Sequence, residues 1–100
     1  MTKKELSIKL FNYFESHSND RYELIDFYDY IDALEYDEIT DTYTVNKETA
    51  LNWYMKDISN YEDSATVDTL TYELDMMDDE DTDEKNEILK LLDEIRNVEQ

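Results

Sequence analysis

The chain has 100 residues, 28 of them Asp or Glu against nine Lys or Arg, with one His and no Cys, Gly or Pro, for a net charge of -19. That length bounds it to one domain, residues 1–100, and the lack of Gly excludes the phosphate-cradling loops GxxxxGKS/T and GxGxxG, whose backbone only Gly adopts cheaply. The lack of Cys excludes a disulfide framework, a thiolate nucleophile and Cys-ligated zinc, while the charge opposes direct binding to nucleic acid or to an anionic membrane.

In chain order, Thr2 to Glu5 reads as a capping box that opens a first helix, with Leu6, Leu10, Phe11 and Phe14 on one face as far as about Ser18. Asp20 to Glu23 repeats the device. The second helix carries Leu24, Phe27, Tyr28, Ile31 and Leu34 at helical spacing and is expected to end near Tyr36. Ile39 to Val45 alternates apolar with polar and is rich in Thr, which fits a short strand, one arm of a hairpin, or an extended connector. Asn46 is a good N-cap for a third helix with Ala50, Leu51, Tyr54, Met55 and Ile58 inward, closing near Asn60. Trp53 and Tyr54 read as core.

Ser64 starts a fourth helix with Val67, Leu70, Leu74 and Met77 as its apolar row, although the Thr content leaves a strand over Thr66 to Leu74 open. After the acidic turn Asp78 to Asp83, a last helix runs to Val98 around Ile88, Leu91, Leu92 and Ile95. The fold class expected is all-α, a compact bundle of four to five short helices, with one short strand or hairpin near 39–45 as the variant. Val, Ile, Leu and Phe supply 23 residues, just above the roughly 20% below which highly charged chains stay disordered, so a small core is expected. The longest apolar run, Trp53-Tyr54-Met55, is too short for a signal-peptide core or a membrane span, and a soluble intracellular protein is the expectation.

Charge is unevenly placed. Residues 19–41 hold nine acids and one base, and residues 61–84 hold eleven acids and no base, while residues 42–60 are balanced. On a helical wheel Glu23, Asp26, Asp29, Asp32 and Glu35 wrap the second helix opposite its apolar row, with Tyr22 and Tyr30 among them. Asp68, Tyr72, Asp75 and Asp79 form one stripe of the fourth segment. Like charges at i, i+4 destabilise an isolated helix by roughly 0.2–0.5 kcal/mol per pair, so such rows carry a structural cost. Two helices of this kind side by side approach one negative charge per about 2.5 Å of axis, against about 1.7 Å for duplex DNA.

Rival chemistries fit less well. A calcium loop in its best register begins at Asp79, Asp81 and Asp83 but then puts Glu84 where the turn needs Gly and Lys90 where a bidentate Glu belongs. No specific metal site and no cofactor are expected. His17, the one imidazole, sits near the end of the first helix, where a solvated or dipole-favoured role is commoner than general-base catalysis. Paired carboxylates need an apolar cleft to separate their pKa values, and a bundle of this size promises little room for one; a catalytic role is not expected. Tyr30 and Tyr72 fit either half-buried core positions or exposed anchors within a charged footprint.

Small size, extreme acidity, helical grammar and aromatics set in carboxylate rows together resemble the DNA-mimic inhibitors that phages and mobile elements deploy against restriction and CRISPR enzymes. The acidic blocks 19–41 and 61–84 carry that resemblance, which is one of general character and not of motif. It implies a basic DNA-binding protein as partner, a CRISPR nuclease or restriction enzyme in the cytoplasm of a bacterial host, whose DNA channel the acidic face occupies. The partner-binding candidates are Glu23, Asp26, Asp29, Tyr30, Asp32, Glu35, Asp68, Tyr72, Asp75, Asp78, Asp79, Glu80, Asp81 and Asp83. An immunity or antitoxin protein that neutralises a basic nuclease at an exosite is the alternative. Plainer readings also stay open, in which the charge is a solvating face or is incidental to a structural or regulatory subunit.

Overall fold

The computed structural model describes residues 1–17 and 21–98, with Arg21 described by its backbone alone. The described residues form five α-helices and one antiparallel hairpin: α1 (Lys3–His17), α2 (Arg21–Tyr30), β1 (Leu34–Asp37), β2 (Thr42–Val45), α3 (Lys47–Asp57), α4 (Ala65–Met76) and α5 (Thr82–Asn97), with a single 3₁₀ turn (Tyr61–Asp63) before α4. This is the small, mainly helical fold expected, in its hairpin-bearing variant.

Local hydrogen bonding explains most of the helix starts. At α1 the Glu5 N–H donates to Thr2 Oγ1 (3.1 Å) and the Thr2 N–H donates back to Glu5 Oε1 (3.3 Å), a closed capping box. The Thr2 hydroxyl, which donates to Glu5 Oε1 (3.0 Å), and then the Thr2 N–H hold the Glu5 carboxyl below the usual range. Asn46 caps α3 by accepting from the Thr49 N–H (3.1 Å), and Ser64 caps α4 by accepting from the Val67 N–H (3.1 Å). With that cap in place, residues 66–74 are helical, and the strand alternative falls. The second capping box rests on Asp20, which lies outside the described residues, as does Ser18.

The second helix is shorter than its apolar spacing suggests. It ends at Tyr30, and Leu34 to Asp37 form β1 instead of its last turn. The stop is a Schellman pattern: the Ala33 N–H donates to the Tyr28 carbonyl (2.8 Å), the Asp32 N–H to the Asp29 carbonyl (3.1 Å), and Asp32 takes the left-handed conformation at φ 61°. Asp tolerates that region better than most non-Gly residues, because its short side chain bonds locally. Ile31 and Leu34 keep the helical rhythm in sequence yet reach the core from non-helical backbone, which is why periodicity overruns the true end.

The hairpin pairs Leu34 with Val45, Glu35 with Thr44, Tyr36 with Tyr43 and Asp37 with Thr42. Its loop is closed by Asp41, also left-handed at φ 52°, and by the Ile39 N–H donating to Asp37 Oδ1 (2.9 Å). At its base the Asn46 N–H donates to the Ala33 carbonyl (2.6 Å).

Packing divides into two connected cores. Leu6 and Leu10 of α1, Tyr54 and Ile58 from α3 and its end, Leu70 of α4, and Ile88, Leu91 and Ile95 of α5 make the larger one. Leu24, Tyr28, Ala33 and Ala50 make the smaller, which seats α2 and the hairpin base on α3. Phe11, Phe14 and Phe27 touch both, so an aromatic layer joins α2 to the remainder of the bundle. Burying a side chain of this size yields about 1.5–3 kcal/mol each, enough for a marginal domain to hold against its own charge.

Candidate functional site

The aromatic layer is only partly covered. Phe14, Phe27 and Trp53 stay partly buried while Tyr54 is sealed at 2% exposure. Their rings interlock: Phe27 meets Trp53 edge-on at 5.0 Å, Trp53 meets Tyr54 edge-on at 5.4 Å, and Phe14 stacks on Tyr54 at 6.0 Å. Together they floor a cleft of about 350 Å³ between α2 and α4. Glu23, Leu24 and Tyr30 form the α2 wall; Ala65, Thr66, Thr69 and Glu73, spaced at helical intervals, form the α4 wall.

The two acidic blocks therefore supply opposite sides of one concavity. Among the described residues, no lysine or arginine side chain lines it. A second cavity, of about 320 Å³ between α1 and α5, differs in kind, because both signs of charge line it and Lys9 pairs with Glu94 there at 2.9 Å.

Glu73 is the electrostatically notable wall residue. It is half-buried, and that burial lifts its carboxyl above the usual range against a weaker opposing effect from the Tyr13 hydroxyl, which donates to Glu73 Oε2 at 3.3 Å. Burial, with Glu73, Glu84 and Glu87 adding to it, likewise pushes the Tyr13 phenol up, and burial does the same for Tyr54, so both remain protonated donors at neutral pH. His17 stacks on Tyr13 at 4.4 Å, holds the Tyr13 carbonyl through Nδ1 (3.0 Å) and approaches Glu87 through Nε2 (3.4 Å). His17 lines the same cleft, whose lining therefore carries two carboxylates, Glu23 and Glu73, and one imidazole.

Compared with family models, with curated proteins and with solved structures, the chain gives no match.

Seven of the residues singled out in the sequence lie on α2 and α4. Glu23 and Tyr30 line the cleft, with Tyr30 84% exposed, and Asp26 and Asp29 lie on the solvent side of α2. Asp68, Tyr72 and Asp75 lie exposed along α4 as the stripe expected, Tyr72 at 66%. No cation among the described residues is in ion-pair range of Asp26, Asp29, Asp68 or Asp75. Tyr22, Tyr30 and Tyr72 are exposed rings and not core.

Two expectations need correction. Asp32 and Glu35 do not continue the α2 row, because the chain turns at Asp32 and Glu35 lies on β1, where it accepts from Asn46 Nδ2 at 3.1 Å. Asp79 does not extend the α4 stripe, since the helix ends at Met76 and Asp79 sits instead 3.5 Å from Lys85. The physical reason is the run Asp78, Asp79, Glu80 and Asp81, whose charges would crowd the negative end of the α4 dipole. Placed ahead of α5, the same run with Asp83 meets a helix N-terminus, where negative charge is favoured. Trp53 packs against the larger core as expected and also lines the cleft.

Sequence reasoning passed over the hairpin as a charged surface. Tyr36, Ile39 and Tyr43 are 50%, 96% and 61% exposed on it, amid Glu35, Asp37, Glu38 and Asp41. The Tyr36 hydroxyl donates to Asp41 Oδ1, a bond that raises its pKa, and its ring lies 4.9 Å from Tyr43. The signal available was the alternation of Leu34 and Tyr36 against Tyr43 and Val45 about an acidic turn.

Proposed function

We propose that this chain is a DNA-mimic inhibitor: its acidic, cleft-bearing face enters the basic DNA-binding channel of a bacterial defence enzyme, a CRISPR nuclease or restriction enzyme, and excludes DNA. The observation that carries the reading is the convergence of both acidic helices on one cleft, their outer carboxylates at Asp26, Asp29, Asp68 and Asp75 having no cation in ion-pair range among the described residues and their rings at Tyr30 and Tyr72 exposed. A merely solvating face has no use for exposed tyrosines, whose burial in an interface is worth far more than their exposure to water.

In this scheme carboxylates stand in for phosphates and accept bidentate contacts from channel arginines and simpler ones from lysines. The excess charge steers association and makes it salt-sensitive. Tyr22, Tyr30 and Tyr72 provide the flat contacts that bases otherwise make, including contacts to guanidinium planes in the channel or in the pocket that reads a short motif beside the target site. The scheme asks no catalysis, cofactor or metal of this chain, and it places the protein in the host cytoplasm. No helix among the described residues is long and apolar enough to cross a membrane.

Capture from a bacterial lysate at low and at molar salt, followed by challenge with duplex DNA, tests it. The expected result is a DNA-processing enzyme held at low salt, lost at molar salt and displaced by DNA. An enzyme that stays bound together with DNA would point to the exosite immunity reading, and retention at molar salt would refute electrostatic mimicry, since screening there acts within about 3 Å.

A further inference from the structure

We infer that the open β1 edge of the hairpin takes up, as an added strand, an extended segment of a basic protein partner in which arginine alternates with an aliphatic residue. The register carries the argument. Leu34, Tyr36, Tyr43 and Val45 share one face of the ribbon, and Glu35, Asp37, Thr42 and Thr44 share the other. Leu34 and Val45 pack on the smaller core. The Tyr36 and Tyr43 rings, 4.9 Å apart, continue that face beyond the core and are half exposed or more.

The backbone shows where a further strand can attach. The Asn46 N–H donates to the Ala33 carbonyl, so these two form a hydrogen-bonded pair in the register of the sheet. Bonded and non-bonded pairs alternate along an antiparallel ladder, which makes Glu35–Thr44 and Asp37–Thr42 bonded and Tyr36–Tyr43 non-bonded. The Tyr36 N–H and C=O therefore point away from β2, to an edge that no further strand of the described residues meets.

The chemistry of the occupant follows from the two faces. Side chains of an added strand alternate with the period of β1, so aliphatic ones come to lie beside Tyr36 and the intervening ones beside Glu35 and Asp37. Residues 34–45 hold four acids and no base, and no cation among the described residues is in ion-pair range of those acids. Asp37 Oδ1 accepts from the Ile39 N–H and Glu35 Oε1 from Asn46 Nδ2, which leaves the second oxygen of each for an arginine fork. The edge is also pre-shaped, because the Tyr36 hydroxyl donates to Asp41 and fixes its ring, so little freedom is lost on docking. A second copy of the chain fits poorly at neutral pH, since it brings the same four acids and a net charge of -19. The inference goes beyond the mimic reading and uses β1 in place of α2 and α4.

The probe is the peptide acetyl-Arg-Val-Arg-Val-Arg-Val-amide, compared with the blocked order Arg-Arg-Arg-Val-Val-Val and with a version carrying Gln for Arg. In about 0.15 M salt screening acts within about 8 Å, and general attraction to an acidic chain serves both charged peptides alike, so their difference isolates strand pairing. The expected result, read by NMR on the full chain, is a saturable shift of the Tyr36 amide and slowed hydrogen exchange there. The alternating order should bind about fivefold tighter than the blocked one, and the Gln version weakest. Tyr36→Thr and Tyr36→Pro both lose the ring, but only the second loses the outward N–H, and proline is tolerated on an edge strand. Binding should fall about threefold in the first and about tenfold or more in the second, with exchange at the Glu35 and Thr44 amides as slow as in the parent. Should Tyr36→Pro lose that protection, the contrast of peptide orders in the parent and in Tyr36→Thr decides alone. Equal binding of the two orders, shifts confined to α2 and α4, or equal affinity of two folded variants would overturn the inference. Slowed exchange at Tyr36 that grows with protein concentration, without peptide, would overturn the partner in favour of a second copy. Displacement by DNA is read on α2 and α4 in a separate assay, so either reading can fail without the other.

Discussion

The junction between α3 and α4 is held by one carboxylate, and its removal gives a sharp measure of how the cleft is built. Asp57, the last residue of α3, accepts from Ser64 Oγ (2.6 Å), from the Ala65 N–H (3.0 Å) and from the Thr66 N–H (2.9 Å). Ala65 is exposed, so water can replace that bond, but Ser64 and Thr66 are buried. Asp57→Ala therefore leaves two buried donors unmet, at about 1.5 kcal/mol each for bonds to a charged acceptor, or about 3 kcal/mol in all. For a domain of this length each kcal/mol moves Tm by about 4–8 °C, so the expected loss is about 12–24 °C. Asp57→Asn keeps the shape and one acceptor oxygen, and roughly half the loss is expected. Thermal unfolding followed by circular dichroism reads both. Trp53 emission should shift to the red in either variant as the α4 wall loosens from it. A fall of less than about 4 °C for Asp57→Ala would mean that water substitutes for the carboxylate and would refute an unmet-donor cost at Ser64 and Thr66.

Replacing Asp32, left-handed at φ 61°, by Gly should raise the urea unfolding free energy by about 0.5–1 kcal/mol, while Asp32→Val should lower it; equal stability of the two would deny that backbone strain resides there. The Glu73 carboxyl titrates above its unfolded value, so the native state holds that proton more tightly, and the resulting stabilisation is present at acid pH and lost as pH climbs through the native value. Glu73→Gln should accordingly flatten the fall in urea midpoint as pH rises through and just above the ordinary glutamate range, and an unchanged slope would contradict it. The double variant Asp68→Asn with Asp75→Asn should keep stability within about 0.5 kcal/mol or raise it, by relief of like-charge repulsion, yet reduce low-salt recovery of the captured enzyme. Undiminished recovery would remove the α4 stripe from the interface.

Much of the helical framework is readable because its instructions are local. Thr2 with Glu5, Asn46 and Ser64 each announce a helix start through a bond spanning three residues, and the structure forms all three bonds. What misleads is the end of α2. Gly usually marks a left-handed helix stop, and a chain without Gly writes the same stop with Asp32, a residue that looks like one more member of an acidic row. Periodicity cannot correct this, since Ile31 and Leu34 contact the core on either reading. The acidic candidates on α2 and α4 were legible as exposed charge. Their common cleft was not, because it arises where Phe14, Phe27 and Trp53, each from a different helix, fail to bury one another completely. Likewise the burial of the Thr66 hydroxyl without a hydrogen-bond partner among the described residues is a property of tertiary packing, invisible in a sequence where it is one threonine among several.

The two-stranded ribbon carries a liability that the charge keeps in check. Among the described residues neither outer edge is covered by a further strand, the sheet being β1 and β2, and its rim displays Tyr36, Ile39 and Tyr43. Open edges of this sort recruit other chains unless charge discourages them, and Glu35, Asp37, Glu38 and Asp41 provide that discouragement. At the isoelectric point, near pH 4.1, mutual repulsion between molecules vanishes. Acidified preparations should therefore precipitate through ribbon-to-ribbon stacking before the helices melt, and a lysine in place of Ile39 should postpone it.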